Sequence, residues 1–138
     1  MYKKIMVPVD LGHTDRLEKA LMIAADLAQL YGSAVHYVGV TTSGPGSVAH
    51  TPEEYTRKLE AFGKAQAEKY SLPQETTATY VSHDPTVDLD RTLLRAVEAS
   101  GADLVVVASH VPGLPEHIFA SNAGYIAAHA KTSVMVVR

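Results

Sequence analysis

Leu104-Val105-Val106-Val107 is an unbroken apolar run dominated by β-branched residues. A strand with one wet face alternates apolar and polar residues; this one does not, so it belongs in the middle of a parallel sheet covered on both faces. The run gives way to Ala108-Ser109-His110, which are small or polar, and then to a loop broken by Pro112, Gly113 and Pro115. Ser121-Asn122 leads into Ala123-Gly124-Tyr125-Ile126, which reads as a helix start with Ser121 as N-cap. Strand, loop and helix start in that order form either an ordinary α/β connection or an anion site. The second reading rests on the unpaired N–H groups and positive dipole end of a helix start.

The rest of the chain repeats the alternation. Lys3 to Asp10 is a first strand, with Pro8 near its end because proline removes a ladder donor. Thr14 or Asp15 caps a helix running to about Tyr31, with Leu17, Leu21, Ala24, Ala28 and Tyr31 on one face and Gly32 closing it. Ala34 to Thr41 is a second strand, in which His36 is a packing histidine rather than a ligand. Gly44, Pro45 and Gly46 mark a mobile loop. Thr51, Pro52 and Glu54 then spell a capping box, followed by a helix with Tyr55, Leu59 and Phe62 inward.

Glu75 to Ser82 alternates in a mixed fashion that suits an edge strand. A third helix carries Leu89, Leu93, Ala96 and Val97 inward and closes at Gly101; after the central stretch and a short fourth helix, Ser133 to Arg138 is the last strand. The order βαβαβαβαβ implies an α/β fold: one domain over residues 1–138, with parallel strands and right-handed crossovers.

Composition removes whole classes of function. Net charge is −3, against a nucleic-acid surface. A bound phosphate would therefore be held mainly by backbone dipoles. There is no cysteine, which excludes disulfides, thiolate catalysis and cysteine-based metal sites. No apolar run reaches membrane-spanning length and no signal-peptide pattern follows Met1, so no membrane insertion and a cytoplasmic location are expected. The Walker loop, the dinucleotide fingerprint and the seryl-hydrolase elbow are absent. Seven histidines include His110 and His117 in one loop and His129 beyond it, but none has a spacing diagnostic of zinc. His110 either orients its loop or acts as an acid–base group, and one imidazole without a partnered nucleophile does not make an enzyme. Asp10 is either a turn carboxylate or a ligand contact at the carboxyl edge of a central strand.

Two stretches carry a resemblance. Ala108-Ser109-His110, the loop, Ala120-Ser121-Asn122, a short helix and Ser133-Val134-Met135-Val136-Val137, together with the opening Lys3-Lys4-Ile5-Met6-Val7-Pro8-Val9-Asp10, resemble the universal stress protein family. The chain is most similar to the family's small ATP-binding bacterial subgroup. The resemblance implies an open five-stranded parallel sheet of order 3-2-1-4-5 with helices on both faces, Rossmann-like, as in the adenine nucleotide alpha hydrolases. It also implies a cytoplasmic stress-response protein that binds ATP, with magnesium or manganese carried by the phosphates.

The implied contacts are Pro8, Val9, Asp10 and Val40 for the adenine end. For the phosphates they are Ala108, Ser109, His110 and Val111, with Ala120, Ser121, Asn122 and Ala123. A homodimer through the last strand and a regulated protein or transporter are further implied partners, and no catalytic residue is. Ala108, Val111 and Ala120 stand where the family often has glycine. They support an alternative in which nucleotide binding is lost and dimerisation carries the function; a slow ATP hydrolase is a third reading.

Overall fold

The computed structural model describes residues 1–109 and 122–138. Five strands, β1 (Lys4–Pro8), β2 (Ala34–Thr41), β3 (Gln74–Val81), β4 (Leu104–Ala108) and β5 (Ser133–Val137), form one parallel sheet in the order β3-β2-β1-β4-β5. Among the described residues four α-helices accompany them: α1 (Glu18–Tyr31), α2 (Pro52–Tyr70), α3 (Pro85–Ser100) and α4 (Asn122–His129).

Connection handedness decides which face each helix covers. The chain moves from β1 to β2 to β3 in one direction, then crosses back to β4 and β5. With right-handed crossovers, helices on the two legs must lie on opposite faces. The core divides accordingly. Ile5, Val7 and Val9 of the first strand and its exit pack with Val35, Tyr37, Leu104 and Val106 under Leu21, Ala24, Tyr55 and Leu59 of α1 and α2. The alternate residues Met6, Val38, Val105 and Val107 pack under Leu89, Leu93, Ala96 and Ile126 of α3 and α4. Period-two alternation thus appears in three dimensions where the linear sequence shows only an apolar run. Val105, Val106 and Val107 are wholly or almost wholly buried, as a doubly covered strand requires.

Helix ends follow local chemistry. Gly32 closes α1 at φ 67° and Gly101 follows α3 at φ 71°. Thr51 caps α2, its hydroxyl accepting from the Glu54 N–H at 3.1 Å. The expected reciprocal bond is displaced by one residue: Glu54 Oε2 accepts from the His50 N–H at 3.1 Å. The start of the first helix also differs from expectation. β1 ends at Pro8, a 3-10 segment spans Leu11–Leu17 with Asp10 as its N-cap, and α1 begins only at Glu18. Neither Thr14 nor Asp15 is the cap, because Asp10 takes the turn one step earlier.

Pro8 explains how the sheet opens at this point. Val9 N–H donates to Val38 O at 2.8 Å, so the next residue's donor faces β2. Proline's missing donor then falls on the β4 side, where the β1–β4 register runs only through Ile5↔Leu104 and Met6↔Val105. No helix among the described residues is long and apolar enough to cross a membrane.

Candidate functional site

Past Pro8 the chain bends into the Asp10 turn. Asp10 Oδ1 accepts from the Gly12 N–H at 3.1 Å, and Oδ2 lies 2.9 Å from His13 Nδ1. The His13 N–H donates to the Asp10 carbonyl at 3.0 Å, and His13 itself (φ −143°, ψ 45°) kinks the 3-10 segment. The Asp10 side chain is 13% exposed and the His13 side chain 44%, so the pair faces outward at the carboxyl edge of β1. The sequence alternative of a turn carboxylate therefore describes what Asp10 does within the protein. Each oxygen makes one bond and keeps a second lone pair.

A cleft of about 190 Å³ opens beside this turn. Its walls are Val9, Asp10, Gly12 and His13 from the exit of β1, Val40 to Thr42 from the exit of β2, and Gly46 to Ala49 from the following loop. Tyr55 of α2 and Pro85 and Leu89 of α3 complete it. The surface is mostly apolar with a few polar groups, the composition of a small-molecule site. No lysine or arginine is among these lining residues.

The loop expected to be mobile carries several hydrogen bonds of its own. The Gly46 N–H donates to Ala49 O at 2.9 Å, Thr42 Oγ1 donates to Gly44 O at 3.0 Å, and Lys58 Nζ donates to Val48 O. Lys58 also pairs with Glu54 at 3.3 Å, so the first turns of α2 anchor the loop against the cleft.

Of the residues named from sequence, Val9, Asp10 and Val40 line this cleft. Pro8 is buried beneath it, and Ala108 and Ser109 are partly buried at the end of β4, with the Ser109 N–H donating to Val137 O at 2.7 Å. Asn122 is 4% exposed and Ala123 1%; Ala123 packs with Ile126 into the core beneath α4, while Asn122 Oδ1 is buried without a hydrogen-bond partner among the described residues. His110, Val111, Ala120 and Ser121 lie outside the described residues, as does His117.

Sequence reading missed Gly12, His13, Tyr55 and the loop as parts of one site. The spacing Asp10-Leu11-Gly12-His13 is a turn signal that could have been read. Tyr55 was legible only as an inward residue of α2. His36 lies elsewhere, buried in β2 and hydrogen-bonded through Nδ1 to Thr76 Oγ1 at 2.7 Å. Burial, and secondarily the charge of Lys4, lowers its pKa to about 4. Among the described residues no group of three or more histidines and carboxylates is placed to hold a metal ion.

Comparison with known proteins is consistent with this geometry. The family model described as the universal stress protein family matches residues 1–138. Universal stress protein G of Shigella flexneri is 32% identical over 146 aligned positions, covering 100% of both chains. The structure of the universal stress protein from Archaeoglobus fulgidus in complex with dAMP superposes with a TM-score of 0.68 at 22% identity, covering 99% of this chain and 98% of that one. A universal stress protein in complex with cAMP superposes with a TM-score of 0.70 at 17% identity, covering 99% and 97%. At those identities the structural likeness establishes the fold: a Rossmann-like sheet with helices on both faces.

Proposed function

The chain belongs to the universal stress protein family, and on that basis we propose that it is a regulatory protein that binds an adenine nucleotide, ATP in the cell, in the cleft at the carboxyl ends of β1 and β2. The observation that carries this reading is the position of the cleft. It lies outside the carboxyl ends of parallel strands, next to the point where the strand order reverses between β1 and β4. That is where open α/β sheets bind ligands. The apolar surfaces of Val9, Val40 and Leu89 suit the faces of a purine ring, and the remaining lone pairs of Asp10 suit its amine or the ribose hydroxyls. Relatives of the same fold are described as complexes with dAMP and cAMP.

In the sequence-derived assignment the phosphates sit against Ala108, Ser109, His110 and Val111 and against Ala120, Ser121, Asn122 and Ala123. With no cationic side chain lining the cleft, backbone donors carry the anion, and magnesium or manganese arrives with the phosphates. The protein acts in the cytoplasm as a homodimer that contacts a regulated protein or transporter. Met135 and Val136 are 38% and 40% exposed on the edge strand β5, and an apolar edge of this kind favours pairing with a second copy.

The test is to denature purified protein, identify any released nucleotide by absorbance and mass, and titrate emptied protein with ATP, ADP and AMP by calorimetry. Saturable binding with stoichiometry near one per chain is expected. Absence of released nucleotide, of calorimetric heat and of a ligand-dependent melting shift would overturn the reading in favour of the non-binding alternative supported by Ala108, Val111 and Ala120. Multi-angle light scattering tests the dimer, and a monomer at micromolar concentration would overturn it.

A further inference from the structure

A second groove, of about 390 Å³, lies on the helical surface between the start of α1 and the second half of α2. It shares no lining residue with the cleft at the sheet edge. Asp15 and Glu18 stand on one side and Gln66, Lys69 and Tyr70 on the other, with Leu21 and Phe62 as its apolar surface. Gln29 Nε2 donates to Tyr70 O at 2.8 Å, so α1 is tied to the end of α2 and the two walls are held together.

The polar groups of this groove are uncommitted. Among the described residues neither Asp15 nor Glu18 forms an ion pair or a side-chain hydrogen bond. They are three positions apart, so their side chains are neighbours and their charges repel. Gln66 Oε1 is buried with no hydrogen-bond partner among the described residues. The same is true of the hydroxyl of Tyr37, a fully buried residue of β2 whose ring packs edge-on against Phe62 with centroids 5.4 Å apart. Burial raises the Tyr37 pKa, and the nearby Glu75 and Tyr70 raise it further, which sets the phenol oxygen within electrostatic reach of the Tyr70 wall. Buried polar atoms left unpaired are costly, and they mark where a partner is wanted.

Charge decides the sign of that partner. The lining residues carry two carboxylates against one ammonium, and that ammonium, Lys69 Nζ, lies 5.2 Å from the centroid of the Tyr70 ring rather than against either acid. The aromatic wall thus already accepts a cation.

We propose that this groove is a second ligand site and that it takes a small aliphatic diamine cation. One ammonium lies between Asp15 and Glu18, the methylenes cover Leu21 and Phe62, and the other ammonium donates to Gln66 Oε1 and to the phenol oxygens beside it. A neutral or anionic ligand leaves both carboxylates unpaired. A bare metal ion gains nothing from the apolar surface. The proposal is independent of the nucleotide reading, because the two sites have no residue in common.

Calorimetry of diaminobutane with an amine at each end, on the intact protein at low ionic strength, tests the assignment; butanediol is the uncharged analogue. Saturable binding at one site per chain is expected for the diamine and none for the diol. Glu18→Gln removes a charge from the groove and Gln66→Leu removes the buried acceptor; each should weaken the diamine by about tenfold. Asp15→Asn repeats the charge test if Glu18→Gln disturbs the start of α1, with circular dichroism reporting the fold. Glu53→Gln alters an exposed carboxylate of α2 outside the groove and should leave the affinity unchanged. Heat that does not saturate, or a loss in Glu53→Gln as large as in Glu18→Gln, means a diffuse counterion effect and overturns the site. Equal binding of the diol, or parental affinity in either Glu18→Gln or Gln66→Leu, overturns it as well.

Discussion

His36 should make this fold sensitive to mild acid, by an amount that follows from its surroundings. It sits in the second strand of the sheet, 9% exposed, opposite Met6 of β1 and Thr76 of β3. Desolvation, with a smaller contribution from Lys4, lowers its pKa from 6.5 to about 4. The unfolded chain takes up this proton near pH 6.5, whereas the folded chain does so only near pH 4. Between those values the unfolded state binds more protons, so acid favours unfolding. The stability associated with a neutral His36 is complete above the unfolded pKa and is lost as pH falls toward the folded one. Integrated from about pH 7 to about pH 5, this single group accounts for a loss approaching about 2 kcal/mol.

Other groups titrate over the same range, so the measurement is a difference. Urea unfolding of the parent and of His36→Gln at both pH values isolates the imidazole, because glutamine can keep a hydrogen bond to Thr76 Oγ1 but does not titrate. His36→Gln should start less stable than the parent and lose less stability on acidification. If the two proteins lose stability in parallel, the proton uptake assigned to His36 does not occur.

Asp10→Ala should act twice. Losing the cap at Gly12 should lower stability by about 1 kcal/mol, seen as earlier melting of the empty protein. Losing a charged acceptor in the cleft should weaken ATP by about tenfold to a hundredfold; unchanged affinity in calorimetry would leave Asp10 a turn residue alone. Gly63→Ala should destabilise the protein although alanine is the better helix former. Its Cβ would lie 2.5 Å from Glu75 Oε1 and 2.8 Å from Thr77 Cγ2. The glutamate can swing aside, but the β-branched threonine of β3 is stiff, and overpacking of this kind costs about 1–3 kcal/mol. A raised melting temperature would show that α2 lifts off β3 without penalty.

The parts of the fold legible in the sequence are those in which one local signal decides. Leu104 to Val107 suits a doubly covered strand and is one, and the inward residues of α3 are all buried at the expected spacing. The mixed alternation of residues 75–82 marked β3 as an edge, which it is. Strand order was not legible from periodicity, because every covered strand gives the same apolar run; it came from the resemblance. Errors arose where two local signals competed. Thr14 and Asp15 are good caps, but Asp10 with Gly12 behind it closes a turn first and draws Leu11–Leu17 into a 3-10 segment. Glu54 is correctly spaced for a box with Thr51, yet its carboxylate reaches the His50 N–H because the preceding loop folds back onto α2.

The same distinction explains why the site was only half visible. Val9, Asp10 and Val40 sit at strand ends that follow from the pattern, but it was the resemblance that singled them out as contacts. Tyr55 could not be placed from sequence, since its position depends on a contact across two layers: a helix residue meeting a strand glycine sixteen positions earlier in the chain. Neither residue is informative alone. Tyrosine at an inward helix position reads as core, and glycine inside a strand reads as a weakness or a bulge. Together they are a fitted pair, in which absence of a Cβ at Gly39 leaves the room that the Tyr55 ring and hydroxyl occupy. Asp10 shows the complementary case, a residue whose structural and binding roles do not exclude one another. A carboxylate oxygen that accepts one backbone or imidazole bond still has a lone pair for a ligand, and those internal bonds hold it in one orientation before any ligand arrives. A turn that holds the carboxylate in one orientation gives the cleft a prearranged polar group, and prearrangement lowers what any ligand must overcome to bind.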